Sequence, residues 1–440
     1  MMQRKTGWRS YTNQCVAQEI SSLSRFCNRV VQLFPTPADR GILLEAIVAP
    51  QKQHCDTLTD CPVSMAEEIT LYLLNGNLNH SFDIHSLLVD LHDHMKRQDR
   101  ACIVLYNPYL KWIYHLANRL GFRQGPIPET FITKTTLQHI LHLAHFRAVR
   151  TRTVVYSPFQ LAGLGDILNR AFSILPGFRW LGLTYVVICQ AIPKISETPS
   201  LSIIVPTRNE AGTIASIIPR LPSLPCPIEI IFVEGHSRDN TWQAIQDVMK
   251  AYQGPIQLKA FQQTGKGKND AVRLGFSKAS GQLLTILDAD LTMPPEQLKQ
   301  FYDAYASGKA DFVNGARFVY PIEKQATPWL NYHVNRAFAK LLSWVLDMPI
   351  GDALCGTKLL RKADYHRLEA WRHWFGDKDP FGDFDLLFSA AQLGLGTVDI
   401  PIRYQARTYG TTNIAYFQNG WILLKMIWFG FFKIKLGFAR

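Results

Sequence analysis

Two carboxylates spaced two apart, Asp288 and Asp290 in LLTILDADLTMPP (283–295), are the side chains of this sequence best suited to chemistry. The apolar run before them predicts a buried strand, and Pro294-Pro295 stop it and lead the next helix. Paired acids at a strand tip suit a hard divalent cation, Mg²⁺ or Mn²⁺, which takes oxygen ligands and bridges to a substrate's phosphates. That points to chemistry on a nucleotide diphosphate. The spacing alone is common. Asp377/Asp379 and Asp383/Asp385 repeat it, and a solvated turn at a strand end reads the same way. The surrounding elements must decide.

At 440 residues the chain predicts two domains. Hydrophobic content of 47% with 19% charge is that of a globular protein. The net charge of +12 calls for an anionic partner. Zinc-finger spacing and a basic region with heptads are both missing, so no nucleic acid is expected. Nucleotide-sugar phosphates, a lipid phosphate or an anionic membrane surface account for the charge. Eight scattered cysteines without a C-x-x-C pair, behind the polar start MMQRKTGWRSYTNQ, predict a reduced, cytoplasmic setting. No run reaches the roughly 18 apolar residues of a spanning helix. Arg179 breaks 171–192, and Lys425, Lys433 and Lys435 break 421–437.

The polar, proline-containing stretch 193–200 reads as a linker between 1–192 and 201–440. Beyond it, LSIIVPT (201–207), IEIIFVEG (228–235) and IQLKAF (256–261) predict strands. Helices follow at 211–220, 241–252 and 269–279. Three strands then end in polar clusters: Thr207–Glu210, Glu234–Asp239 and Asp288–Asp290. In an open parallel sheet, ligands bind at the carboxyl ends of strands, so these clusters should converge. In the first half, strands are expected at 29–34, 101–106, 153–158 and 184–192, with helices at 84–97 and 109–122. Alternation throughout predicts an α/β, doubly wound architecture.

Seven motifs stand in order in 201–440: IIVPTRNEAGTI, VEGHSRDNT, GKGKNDAVRLGFSKASG, DADLTMPP, GDALCGTKLL, PFGDFDLL and PIRYQARTYGTTNI. On these, the half resembles a family 2 glycosyltransferase of GT-A fold, of the polyprenyl-phosphate sugar transferase kind. The resemblance implies that Pro206, Arg208 and Glu210 line a nucleotide pocket. It places Glu234 where the base and ribose are read, and Lys266 near the nucleotide or its phosphates. Asp288 and Asp290 would hold the metal and diphosphate, and Arg407 would face the diphosphate or acceptor phosphate. The sequence departs from the family pattern at Gly235, at Thr292 in place of Gln, and at Thr411-Thr412-Asn413 after Gly410.

The resemblance implies an inverting transfer of sugar from a UDP- or GDP-linked donor to a polyprenyl-phosphate or glycan acceptor, in cell-envelope glycan biosynthesis. An alcohol acceptor needs a general base, Asp385 or, second, Asp383; a lipid phosphate needs none. Plainer readings stand beside these. The 265–268 loop fits no G-x-x-x-x-G-K-[ST] pattern. Gly394-Leu395-Gly396 precedes a strand. Asp383 and Asp385 sit at a helix start, where acids face the helix dipole. Arg403 and Arg407 also read as strand-edge charges. A catalytically dead nucleotide-sugar scaffold, or a methyltransferase with an accessory sugar-binding half, are the alternatives.

The tail 414–440 combines Trp421, Trp428 and several phenylalanines with lysines and no acid. That predicts an amphipathic helix, either packed on the catalytic core or lying on the inner face of the membrane as a peripheral contact. Residues 1–192 resemble an eroded, Rossmann-like class I S-adenosylmethionine-dependent methyltransferase, through 74–97, ACIVLYNP and the late strands. Where that family has a glycine-rich turn, RVVQLF runs into Pro35-Thr36-Pro37-Ala38-Asp39-Arg40. Proline and side chains fill the space that glycines must leave, so S-adenosylmethionine is not expected to bind. Packing or partner docking is the expected task.

Overall fold

In the computed structural model the described residues are all except 1, 36–38, 40, 62–67, 82, 122–127, 195, 321–328, 370–381, 408, 410–415 and 437–440. Asp377 and Asp379, the turn at Thr36–Ala38 and the departure at Thr411–Asn413 therefore lie outside them. The chain forms two compact units. One comprises Met1–Lys194 with 392–394 and 432–440; the other comprises Ile195–Ala391 with 395–431.

The first unit is built on six strands: β1 (Arg29–Leu33), β2 (Gln51–Cys55), β3 (Thr70–Asn75), β4 (Arg100–Tyr106), β5 (Phe146–Val154) and β6 (Thr184–Ala191). Their order is β2-β1-β3-β4-β6-β5. β1 pairs in parallel with both neighbours, whereas β6 runs antiparallel to β4 and β5. β1, β3, β4 and β6 are buried on both faces, which is why they read as mostly apolar runs. Along β3, Tyr72 and Leu74 enter one core and Leu71 and Leu73 the other. The sequence reading missed β2, because QKQHC is a polar, exposed edge strand with no apolar alternation. It also missed β3, although TLYLLN is a buried apolar run, and the helix Met2–Ser24, although Val16, Ile20 and Leu23 recur at helical spacing on its buried side. β5 spans Phe146–Val154 rather than 153–158, since FRAVRTRTV hides its buried positions among arginines.

The second unit has seven strands: β7 (Leu201–Thr207), β8 (Ile228–Glu234), β9 (Gln257–Gln262), β10 (Leu283–Ile286), β11 (Phe312–Ala316), β12 (Lys358–Arg361) and β13 (Thr397–Pro401). The order is β13-β11-β12-β10-β7-β8-β9. β7, β8, β9 and β10 are parallel, and β12 is antiparallel to β10 and β11. The chain thus leaves β7 toward β8 on one side and returns to β10 on the other. The crevice at such a reversal, at the carboxyl ends of the strands, is where open sheets take ligands. Ile203, Val205, Ile230 and Phe232 bury the centre beneath it. Truncating any one of them to alanine would cost about 2–5 kcal/mol.

At the amino ends, buried Glu229 ties the sheet together. It accepts from the Ser202 and Ser280 hydroxyls and from the Gly281 N–H at 3.2 Å, and pairs with Lys259 at 2.7 Å. Structure is anchored at one edge, which leaves the other free for chemistry. The helix predicted at 211–220 is shorter, one α-turn at Ile214–Ile217 followed by a 3₁₀ turn at Ile218–Arg220 around Pro219.

Candidate active site

Three strands deliver the polar clusters, and each delivery bends the backbone. Asn209 after β7, His236 after β8 and Leu291 after β10 have φ of 57°, 57° and 55°. Left-handed backbone at residues bearing side chains is costly and concentrates at functional sites. The turn at β10 closes with the Leu291 N–H donating to the Asp288 carbonyl at 3.2 Å. Thr292 then donates its N–H and its hydroxyl to Asp290 Oδ1, at 3.1 and 2.9 Å. The departure at 292 thus has a local role: it orients Asp290.

Arg407 gathers the cluster. It donates to Glu210 Oε1 at 3.1 Å and to Asp290 Oδ2 at 2.6 Å. Its segment is held by the Gln405 N–H on the Thr292 carbonyl at 2.9 Å. Glu210 Oε2 is buried with no hydrogen-bond partner. Burial pushes the Glu210 carboxyl up to about 7; Arg407 pulls it back, while Asp290, Asp288 and Asp239 push it further. Asp239 is held below its ordinary value despite burial, by hydrogen bonds from Thr241, Ala211 and Tyr409.

Asp288 pairs with Lys268, two residues beyond Lys266, the lysine picked out in the sequence. Lys268 opens the helix Lys268–Lys278. Burial works to lower its pKa, but Asp288, Asp383 and Asp290 overcome this and hold the ammonium above its ordinary value. Lys266 is exposed. The two lysines of G-K-G-K look alike in sequence, and only the helix start distinguishes them.

The remaining sequence candidates spread around this centre. Glu234 is buried and accepts from the Ser237 N–H at 2.5 Å and the Gln262 amide at 3.3 Å. Pro206 is half-buried and Arg208 exposed, both at the end of β7. Asp383 and Asp385 open the helix Asp383–Gln392. Asp383 pairs with Lys358 at 2.7 Å, and Lys358 is fully buried. Asp385 faces Arg273 at 3.5 Å. Sequence reading missed Lys268, Lys358 and Arg273; Lys268 and Arg273 share one helix and pair with Asp288 and Asp385.

The residues present fit a hard divalent cation. The donors at the crevice are carboxylate oxygens from Asp288 and Asp290, and the orphaned Glu210 Oε2 lies in the same cluster. A Cβ on Gly356 would collide with Lys268 Nζ and Asp288 Oδ2, so this glycine keeps space open beside the acids. Among the described residues no group of three or more His, Cys, Asp or Glu side chains is gathered as a closed metal site.

The predicted tail forms the helix Tyr416–Gly430. Leu423, Met426 and Ile427 are buried, whereas Trp421, Leu424 and Trp428 are exposed. A Cβ on Gly430 would meet Phe388 at 3.0 Å, and Trp344 stacks on Phe431 at 5.4 Å. One side is packed and the other is apolar and open. Among the described residues no helix is long and apolar enough to cross a membrane.

Residues 202–368 match the family model described as Glycosyl transferase family 2. A dolichol-phosphate mannosyltransferase of Pyrococcus furiosus is 34% identical over 27% of this chain and 33% of its own length. An undecaprenyl-phosphate 4-deoxy-4-formamido-L-arabinose transferase of Enterobacter is 23% identical over 51% of this chain and 65% of its own. The low-salt glycan biosynthesis hexosyltransferase Agl6 of Haloferax volcanii is 28% identical over 51% and 52%. The chain therefore spans between a third and two thirds of these relatives. Among solved structures, glucosyl-3-phosphoglycerate synthase from Mycobacterium tuberculosis in complex with UDP is 16% identical, covering 54% of this chain and 80% of its own, with a TM-score of 0.40.

Proposed function

We propose that this chain, whose C-terminal half carries a family 2 glycosyltransferase domain, transfers a sugar from a nucleotide-sugar to a polyprenyl-phosphate or glycan acceptor. The observation that carries the reading is the meeting of Glu210, Asp290 and Arg407 at the sheet's point of reversal, with Lys268 on Asp288 beside it.

Asp288 and Asp290 would hold a divalent cation, whose chemistry when bound is to neutralise the departing diphosphate. Arg407 and Lys268 supply further positive charge where the leaving group's charge develops. The acceptor oxygen attacks the anomeric carbon from the face opposite the diphosphate. The new C–O bond forms as the bond to the phosphate oxygen breaks, and the anomeric configuration inverts. Asp385 is the candidate to take the proton of an alcohol acceptor, with Asp383 second. A lipid phosphate arrives already ionised. Glu234, buried at the tip of β8, is the candidate for the donor's ribose or base, and Pro206 and Arg208 would flank it.

In the first unit the equivalent reversal lies between β1 and β3, and side chains bond to one another and to the backbone beside it. Asn77 donates to the Phe34 carbonyl at 2.7 Å, and Asn75 to Asp39 at 2.8 Å. Gln32 also donates to Asp39. These bonds support a unit that keeps part of a methyltransferase-like fold without its cofactor.

The deciding experiment screens nucleotide-sugars with Mn²⁺ against polyprenyl-phosphate and glycan acceptors, for the wild type and Asp290→Ala. Transfer by the wild type and none by the variant is expected. Equal turnover by the variant would reject the site. Calorimetry showing micromolar S-adenosylmethionine affinity would reject the reading of the first unit.

A further inference from the structure

Two amphipathic helices of the first unit present their apolar sides to solvent. On Lys111–Arg119, Trp112 and Leu116 are exposed and the stripe continues to Leu120, while Tyr114 is buried. On Leu164–Ile174, Leu164 and Ile167 are exposed, and Gly165 is the residue buried. A helix that packs on a core does the reverse. The two helices are linked at one edge through the turn that follows the second: Phe172 stacks on Phe178 at 4.9 Å, and Asn107 receives the Tyr109 N–H at 3.0 Å and donates to the Trp180 carbonyl at 2.7 Å.

The charges at this edge have one sign. Segments 109–121 and 157–182 carry Lys111, Arg119, Arg170 and Arg179 against a single acid, Asp166. Its carboxylate accepts the Tyr11 hydroxyl at 2.8 Å, which leaves the balance of charge at this edge positive. Tryptophan and tyrosine with leucine and isoleucine, among arginine and lysine, is the composition of a surface that rests at the lipid headgroup boundary. Contact between two copies of this face would set its cations against each other, which opposes self-association. Phosphate headgroups satisfy both the apolar stripe and its cations.

We infer that this face of the first unit docks on an anionic lipid surface. The inference is independent of sugar transfer and of the C-terminal helix, and it gives the first unit a task other than cofactor chemistry.

The test is flotation with vesicles of phosphatidylcholine alone and of phosphatidylcholine with phosphatidylglycerol. Three full-length proteins are compared: wild type, Trp112→Ser with Ile167→Ser, and Trp421→Ser with Trp428→Ser. Trp112 and Ile167 are 63% and 64% exposed, so replacing them removes little core packing, and an unchanged unfolding midpoint checks this. Wild type should float with the anionic vesicles and stay behind with the neutral ones. The first double variant should lose at least about tenfold in partitioning, and the tail variant should keep most of it. Three results would overturn the inference. One is equal flotation of the first double variant and wild type. Another is wild type remaining soluble with both vesicles. The third is a wild-type dimer in sedimentation that this variant breaks, which would make the face a contact between copies.

Discussion

Arg407 stands on Asp290 at 2.6 Å, linking the segment after β13 to the tip of β10. The same guanidinium reaches Glu210 at 3.1 Å. One planar fork thus holds together two carboxylates that would otherwise repel, at the place where a diphosphate's charge would develop. A lysine supplies the charge without the fork.

Arg407→Ala should therefore lower sugar transfer by about 10²–10³-fold, and Arg407→Lys should recover part of that loss. The measurement is single-turnover transfer with saturating donor. Equal rates for Arg407→Lys and Arg407→Ala would show that the fork is not what matters.

Lys268 and Lys266 separate the structural reading from the sequence reading. Lys268 sits on Asp288 and Lys266 is exposed. Lys268→Ala should weaken transfer by about 10²-fold, while Lys266→Ala should change it by less than about threefold. A reversed order, read from kcat/KM for the nucleotide-sugar, would restore the assignment to Lys266.

The strands that carry the site were the legible part. β7 and β8 are buried parallel strands whose apolar runs end abruptly in polar residues, and their bounds follow from that contrast. Asp288 and Asp290 stood out because two prolines follow them. The meeting of Glu210 and Asp290 was expected from the rule for open sheets and that of Arg407 from the family resemblance, but the individual contacts were not a local property. They depend on the order in which strands pair, and β13 lies at the far edge from β9. The partners Lys358 and Arg273 were silent for the same reason, since a lysine in GTKLL looks like a surface charge until the sheet buries it. In the first unit the polar edge strand β2 gave no periodic signal, whereas the apolar run of β3 and the Val16, Ile20, Leu23 spacing of the N-terminal helix were present and went unread; β1, β4 and β6 were legible.

Asp383 and Asp385 should part company when neutralised. Asp383 compensates the fully buried Lys358 at 2.7 Å, so Asp383→Asn leaves an ammonium without its counter-charge and should cost about 3–5 kcal/mol of stability. Asp385 faces the half-buried Arg273 at the longer distance of 3.5 Å. Asp385→Asn should leave the denaturant midpoint nearly unchanged and slow transfer to an alcohol acceptor. Denaturant unfolding and kcat, measured on both variants, check the separation. A stable Asp383→Asn with normal Lys358 burial would contradict the anchoring role.

Glu229 sets an acid limit on the second unit. Burial acts to raise its pKa, but the Lys259 ammonium and the hydrogen bonds from Ser202 and Ser280 outweigh it and bring the carboxyl from 4.5 down to about 2. The folded state therefore holds this group ionised at pH values where the unfolded chain has already taken up a proton. Its contribution is complete above about pH 4.5 and is lost as the pH falls through about 2. Allowing for solvent around Lys259, the effect is roughly 2 kcal/mol. Glu229→Gln should lower stability by about that amount at neutral pH, and the gap to wild type should close as the pH drops toward about 2. Urea unfolding of both proteins across that range measures the gap. A constant difference at every pH would mean that Glu229 acts through shape and hydrogen bonding, with its charge contributing nothing.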